Sequence, residues 1–416
     1  MPTIPRCTDQ WLLSQIQKRI GAAPIRLAIE GGASVAPQGV PPVATAVIRD
    51  RGVLTGLLLD PEMTFGDGYA DGRIEVEGDL VQFLEAVYGA MDNIATAGRW
   101  YSKLASKWMD LLQNNTRSGS RENIHRHYDL GNDFYKLWLD DRMLYTCAYF
   151  PTPSSTLEEA QIAKMDHVCR KLRLQPGESV VEAGCGWGSL ALHMARKYGV
   201  TVKAFNVSRE QIAFARERAR AEGLSHQVEY IEDDYRNISG SFDVFVSVGM
   251  LEHVGVKHYG ELAKIIHGAI GDTGRGLLHF IGRNYPAIFS RWIRQQIFPG
   301  GYTPSLREAL TVIEPLNYSV NDIENLRLHY AKTLEHWLDR FEGSRQQIAA
   351  MYDSRFVRAW RLYLAGSIAA FRCGSLQLFQ ILFTGSRCEP LFWTRDPLYA
   401  GAKQAPEKVK WVHVVS

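Results

Sequence analysis

The spacing of apolar residues divides the chain into three stretches. In the first, residues 1–95, "DQWLLSQIQKRIG" has helical spacing, while "PVATAVIRD", "GVLTGLLLD" and "GRIEVEG" read as strands between Gly, Pro and Asp turns. "GDLVQFLEAVYGAMDNI" then predicts a closing helix, which makes this stretch a small α+β domain without a catalytic constellation. Residues 96–170 read as helical and aromatic, and end in "LEEAQIAKMDHVCRKLRL", whose apolar residues fall on one helix face. From residue 171 onward the pattern becomes alternating. The short apolar runs "ESVVEAG", "TVKAFNV", "VEYIED", "FDVFVSVG" and "GLLHFIG" are separated by helical segments. That alternation predicts an α/β fold with a mostly parallel sheet covered by helices on both faces. After Tyr285 the reading returns to helices, through "RWIRQQIFPGGY" and "WRLYLAGSIAAFRCGSLQLFQILF".

Composition narrows the class. A chain of 416 residues, 46% hydrophobic and 22% charged, suits a globular enzyme of two or three domains. Its 47 basic and 45 acidic side chains nearly cancel, so no overall field draws it to nucleic acid. Arg99, Lys103, Lys107, Arg117, Arg121 and Arg126 face only Asp110 and Glu122 between residues 99 and 126. With Trp100, Tyr101 and Trp108 among them, these cations suit either an anionic lipid surface or a solvated helix face. The six cysteines never form CxxC, which argues against a zinc site or a disulfide framework. No apolar run reaches membrane-spanning length, and "MPTIPRCTDQWLLSQI" lacks the pattern of a signal peptide. A cytoplasmic protein is the expectation.

The candidate chemistry centres on "VVEAGCGWGSL". A strand ends near Glu182, glycines follow at 184, 186 and 188, and a helix begins near Ser189. Such a turn brings backbone close to a ligand at the carboxyl edge of an open α/β sheet. A phosphate-binding P-loop would need Gly-Lys-Ser/Thr, and here the chain reads Gly188-Ser189-Leu190. A dinucleotide site would need an acid at the end of the second strand, where Asn206 stands. The acid lies instead at Glu182, which resembles the first motif of class I S-adenosylmethionine methyltransferases. "IEDDYRN" resembles their adenine-contacting motif, with Asp233 and Asp234 as candidates.

Seven fragments in order, "HYDLGNDFYKLWLD", "YTCAYF", "EAGCGWGSLALHMA", "NVSREQ", "VSVGMLEHVG", "LLHFIG" and "LRLHYAKTL", resemble the cyclopropane fatty acid synthase family. The resemblance implies a class I methyltransferase Rossmann-like sheet with helical lipid-binding additions, preceded by the small α+β N-terminal domain. It implies S-adenosylmethionine as cofactor, and an unsaturated phospholipid at the membrane surface as substrate. The protein would then sit peripherally on the inner face of the membrane; a homodimer is left open. Cofactor contacts fall by resemblance on Tyr145, Thr146, Gly184, Cys185, Gly186, Trp187, Asn206, Gln211, Asp233 and Asp234. Family members commonly carry serine at the place of Thr146 and threonine at that of Asn206, and both replacements keep a hydrogen-bonding side chain. The catalytic positions fall on Cys147, Glu252, His279, Ile281 and Tyr330, where the family holds a bicarbonate ion as base. No metal is implied.

The reaction explains why such residues are needed. An alkene attacking the sulfonium methyl becomes a carbocation, which must be held in place, kept dry and relieved of one proton. A thiolate beside it would trap it, and the resemblance implies that Cys147 frames the bound ion chiefly through its backbone. "PAIFSRWIRQQIFPGGY" either packs on the core or lines the mouth of an acyl channel, with Arg291 and Arg294 toward phosphate. Tyr330 and His279 can equally be packed core residues. Three other outcomes stay open: a methylene- or methyl-branched product, a small-molecule methyltransferase, and a non-catalytic lipid-binding protein.

Overall fold

A computed structural model of the chain describes residues 6–97, 130–287, 290–388 and 393–399. The basic segment from Arg99 to Arg126 lies outside these described residues.

The N-terminal unit is a four-stranded sheet wrapped by helices. Helix α1 (Arg6–Arg19) leads into β1 (Ile25–Ile29), β2 (Ser34–Val35) and β3 (Ala44–Ile48). Then come α2 (Gly52–Leu59), α3 (Pro61–Ala70), β4 (Ile74–Glu77) and α4 (Leu80–Ala97). The sheet order is β2-β1-β3-β4, with β1 and β3 parallel. The expected strand "GVLTGLLLD" is helix α2. An eight-residue apolar run does not reveal its period. Its buried positions, Val53, Leu54 and Leu57, keep helical spacing. The Asp50 carboxylate accepts the Gly52 N–H at 2.8 Å and turns the chain out of β3.

The second sheet carries the functional cavity. Helix α5 (Leu157–Lys171) starts at a capping box, in which Thr156 and Glu159 satisfy each other's backbone N–H groups. After it come β5 (Ser179–Ala183), α6 (Ser189–Tyr198), β6 (Thr201–Asn206), α7 (Arg209–Ala221), β7 (Val228–Glu232) and β8 (Val244–Val248). The one-turn helix α8 (Leu251–Val254) follows β8, and β9 (Arg275–Gly282) completes the parallel part. Beyond lie α9 (Arg291–Gln296), β10 (Ser319–Asn325), α10 (Arg327–Gly343), α11 (Ser354–Cys373) and β11 (Gln377–Thr384). The order β10-β11-β9-β8-β5-β6-β7 makes the sheet mixed, because β11 pairs antiparallel with both β9 and β10.

Strand β11 departs from the expected helical reading. Gly374, at φ 82°, stops α11 in a left-handed turn, and the chain re-enters the sheet between β9 and β10. All eight residues of β11 are buried, so the alternation that marks a strand is erased.

The two sheets are joined by packing and by an arginine ladder on α11. Arg355 meets Asp67 and Asp71, Arg358 donates to the carbonyl of Tyr69, and Arg361 donates to the Tyr69 hydroxyl. On α9, Trp292 is buried against the N-terminal unit, and its indole N–H donates to Asp67 at 3.2 Å. One hydrophobic cluster runs from Leu27, Ile48 and Phe83 to Trp138, Trp187 and Trp337.

Candidate active site

The carboxyl ends of β5, β6, β8 and β9 open into a cavity of about 710 Å³ that continues into the N-terminal unit. All fifteen residues expected at the site line this cavity. The part lined by the residues expected to contact cofactor is called the cofactor side here, and the part lined by those expected to be catalytic the catalytic side.

The cofactor side is built on the glycine turn. Gly186 has φ 54°, and a Cβ placed on it would meet nothing within 4 Å, so backbone faces open space there. Gly188, at φ 82°, caps α6, and a side chain would strike Tyr230, whose hydroxyl donates to the Gly188 carbonyl at 2.6 Å. Asn206, at the end of β6, donates to Gln211 at 2.7 Å and to the Gly186 carbonyl at 3.3 Å. These bonds leave Gln211 Nε2 buried without an acceptor among the described residues. Trp187 donates its indole N–H to Asn132 at 2.7 Å, and Cys185 is a small buried turn residue. Asp233 is tied to the same turn by its N–H, which donates to the Asn206 carbonyl. Asp234 also lines the cavity, but its carboxylate is engaged by Arg236 at 3.0 Å. The Tyr145 hydroxyl meets that of Tyr363 at 2.9 Å.

Two further charged groups stand at this end: Glu182, the acid of the glycine-turn motif, and Lys164, which the sequence reading did not select. Lys164, from α5, is buried and donates to Thr146 Oγ1 at 2.8 Å; burial pulls its ammonium down to about 8. Burial pushes Glu182 up to about 8 while Lys164 draws it the other way, and its Oε2 lacks a partner among the described residues. A buried cation, a buried acid and an unpaired amide suit a ligand that carries both a carboxylate and an ammonium. The amino-acid end of S-adenosylmethionine has that charge pattern, so these residues fit it. The polar Lys164 on the apolar face of α5 was the available signal.

Glu252 stands on α8, and its Oε1 accepts the backbone N–H of Ile281 at 2.6 Å. Its Oε2 is buried without a partner among the described residues. Burial pushes this carboxyl up to about 7, against the pull of the Ile281 N–H. His279 lies two residues before Ile281 on β9. Its Nδ1 accepts from Gln380 Nε2 at 3.0 Å, which places the proton on Nε2. That Nε2 is buried without a partner among the described residues, and burial pulls the imidazole down to about 3, so the ring is neutral. Gln380 is a positioning residue that the sequence reading passed over. A glutamine inside the apolar run "LFQILF" was its signal, since burying an amide is costly unless it is bonded. The Tyr330 ring packs on Phe371, with centroids 4.7 Å apart.

Cys147 is 1% exposed; its thiol donates to the Ala148 carbonyl, and burial pushes its pKa up far from the nucleophilic range. The loop around it is held from several elements. Gln161 donates to the carbonyls of Leu144 and Thr146, and Thr333 accepts the Ala148 N–H. Arg291, expected on one reading to face phosphate, is instead engaged by Asp60.

The profile of the mycolic acid cyclopropane synthetase family matches residues 114–381. A probable fatty acid methyltransferase of Pseudomonas putida is 37% identical over 380 residues, 87% of this chain and 93% of that protein. A cyclopropane-fatty-acyl-phospholipid synthase of Escherichia coli is 35% identical over 361 residues, 85% of this chain and 90% of that one. The crystal structure of mycolic acid cyclopropane synthase CmaA1, complexed with SAH and CTAB, superposes with a TM-score of 0.61 at 30% identity. It covers 63% of this chain and 97% of that one. The glycine turn, the orphaned amide and acid beside it, and these likenesses agree: the chain belongs to the mycolic acid cyclopropane synthetase family of S-adenosylmethionine-dependent methyltransferases.

Proposed function

We propose that the protein methylates the cis double bond of an unsaturated acyl chain in a phospholipid and closes a cyclopropane ring. The observation that carries this reading is the single cavity joining the glycine turn to an apolar passage through the N-terminal unit. A small-molecule methyltransferase has no use for such a passage. When bound, S-adenosylmethionine supplies an electrophilic methyl group; the chain's own residues do the rest. The aromatic walls from Tyr145, Trp187 and Phe371 hold the acyl chain and exclude water from a developing cation. On the reacting carbons, the alkene π pair forms one C–C bond to the methyl as that methyl's bond to sulfur breaks and the pair stays on sulfur. The methyl then loses a proton, and the freed C–H pair closes the ring as a second C–C bond.

Few side chains of the catalytic side can take that proton directly. His279 is buried and neutral with its N–H outward, and Cys147 is a buried thiol. The N–H of His279 and a protonated Glu252 instead form a cradle for a small oxyanion. Bicarbonate fits that donor set and would serve as the proton acceptor. Membrane contact would be peripheral; among the described residues no helix is long and apolar enough to cross a bilayer.

The test is to incubate the purified protein with isotopically labelled cofactor and mixed unsaturated phospholipid vesicles, and to solve the product by NMR. High-field cyclopropane proton signals are expected. An exocyclic alkene or a methyl branch would overturn ring closure while keeping methyl transfer, an outcome in line with the Pseudomonas relative's name.

A further inference from the structure

Strand β9 carries more than its catalytic histidine. Successive side chains of a strand alternate between faces, so His279, Ile281 and Arg283, just past the strand's end, share one face. All three line the cavity, whereas Phe280 packs into a separate core behind the sheet. At about 3.3 Å per residue, the Arg283 Cα lies about 13 Å along the strand from that of His279. The face therefore runs from the reacting end, past an isoleucine, to a guanidinium.

That guanidinium is oriented, and it makes no ion pair among the described residues. Arg283 Nε donates to Thr303 Oγ1 at 2.7 Å, and its backbone N–H donates to the Pro304 carbonyl at 2.9 Å. Among the described residues its two terminal nitrogens meet no acceptor, and no carboxylate lies within ion-pair distance. Arg291 and Arg355, on neighbouring helices, both meet aspartates. Burial pulls the Arg283 pKa down, and Glu62 on the same cavity wall draws it back only from a distance, since its carboxylate is engaged by the Ser290 hydroxyl and the Trp292 N–H. A second donor faces it from the N-terminal unit. Tyr88, on α4, lines the same cavity, and its hydroxyl makes no hydrogen bond among the described residues. Burial, with the Glu62 charge, pushes that hydroxyl up to about 12, and the Arg283 charge draws it back.

We infer that Arg283 and Tyr88 form a subsite for the phosphodiester of the lipid substrate, assembled from both units of the chain. The inference rests on the phospholipid reading above. A guanidinium held by its Nε presents the two parallel N–H groups that match two phosphate oxygens. Tyr88 supplies a third donor from across the cavity. With the headgroup fixed here, the strand acts as a ruler that sets how far along the acyl chain the double bond reaches the reacting end. Neither residue is then catalytic; both position the lipid.

The experiment compares dioleoyl phosphatidylethanolamine with dioleoylglycerol, each in the same non-ionic detergent micelles, so that surface charge plays no part. Wild type is expected to prefer the phospholipid. Arg283→Gln should lose roughly 10–100-fold in kcat/KM on the phospholipid, mostly through KM, the range for a lost hydrogen bond to a charged group. On dioleoylglycerol it should match wild type. Arg283→Lys should recover part of the loss, and Tyr88→Phe should show a smaller loss of the same selectivity. Binding of S-adenosylhomocysteine by calorimetry reports whether each variant is folded. If folded Arg283→Gln and Tyr88→Phe both keep the wild-type preference, the subsite is wrong and the phospholipid reading stands. If wild type itself favours dioleoylglycerol, both fall. If excess inorganic phosphate accelerates the dioleoylglycerol reaction, the site serves a free anion and the inference is overturned.

Discussion

The backbone N–H of Ile281 donates to Glu252 Oε1 at 2.6 Å, and this bond joins the end of β8 to β9 across the catalytic side of the cavity. It satisfies one carboxyl oxygen and leaves the other buried without a partner among the described residues. An ionised Glu252 is therefore poorly served, and the fold favours the neutral acid, with a pKa raised to about 7.

Stability should follow from that shift. A raised carboxyl pKa contributes stability that is fully present below the ordinary Glu range and is lost as pH rises through about 7. Glu252→Gln, which imitates the neutral acid, should therefore be more stable than wild type at pH 8, by roughly 2–4 kcal/mol, and nearly equal to it at pH 4.5. Calorimetric Tm values at the two pH values, without cofactor, check this. A constant difference across the range would contradict it.

The same variant should lose most activity at any pH. Replacing the acid by an amide alters the cradle that Glu252 makes with His279. A loss of about 100-fold in kcat is expected, comparable to removing one donor at a developing charge. Tyr330→Phe, at another position expected by resemblance to hold the ion, should fall similarly. Calorimetric binding of S-adenosylhomocysteine should survive in both, because neither residue belongs to the glycine turn. Wild-type rates in either variant under bicarbonate depletion would remove them from the cradle.

Gln380 should control His279 through its tautomer. Gln380→Leu leaves His279 Nδ1 buried without a donor, at a cost of about 1–3 kcal/mol in stability. It also frees the proton to move from Nε2 to Nδ1. Nitrogen-15 imidazole shifts should show a single Nε2–H tautomer in wild type and a mixture in the variant. An unchanged tautomer would mean that other contacts fix the ring.

These sites were unequally legible in the sequence. The glycine turn and the loop from Tyr145 to Cys147 were readable because their residue types and order repeat a family pattern. Gln380 and Lys164 were harder to find, since each acts through a neighbour and lies within an element read only for its apolar spacing. The parallel strands could be found because helices interrupt them. Strand β11 was missed because burial on both faces removes alternation, and α2 because an unbroken apolar run suits either geometry. Arg283 and Tyr88 share no motif; only the docking of the N-terminal unit brings them to one cavity.

Cys147 offers a separate check on what kind of chemistry the cavity supports. Its thiol is buried, bonded to the Ala148 carbonyl and shifted away from ionisation, so it should resist iodoacetamide at pH 8 in the native state. Cys147→Ser should retain measurable turnover, reduced by about 10-fold because a hydroxyl is harder to bury than a thiol. Complete loss of activity with cofactor binding intact would restore a covalent role.

The junction between the two units should matter to lipid turnover more than to cofactor binding. Gly66 on α3 packs so closely on Trp292 of α9 that a Cβ would run into the indole ring. Gly66→Ala must therefore push the ring aside and strain its bond to Asp67, at a cost of about 1–3 kcal/mol for an overpacked contact. The displaced α9 forms part of the cavity wall through Trp292 and Ile293. Activity on phospholipid should drop severalfold while S-adenosylhomocysteine binding stays at the wild-type value, since the junction residues Gly66, Asp67 and Trp292 are not among those expected to contact the cofactor. Trp292→Phe, which removes the bond to Asp67 but relieves the crowding, should restore part of the activity in the double variant. If the double variant is no better than Gly66→Ala alone, the loss arises within the N-terminal unit and the junction is not its cause.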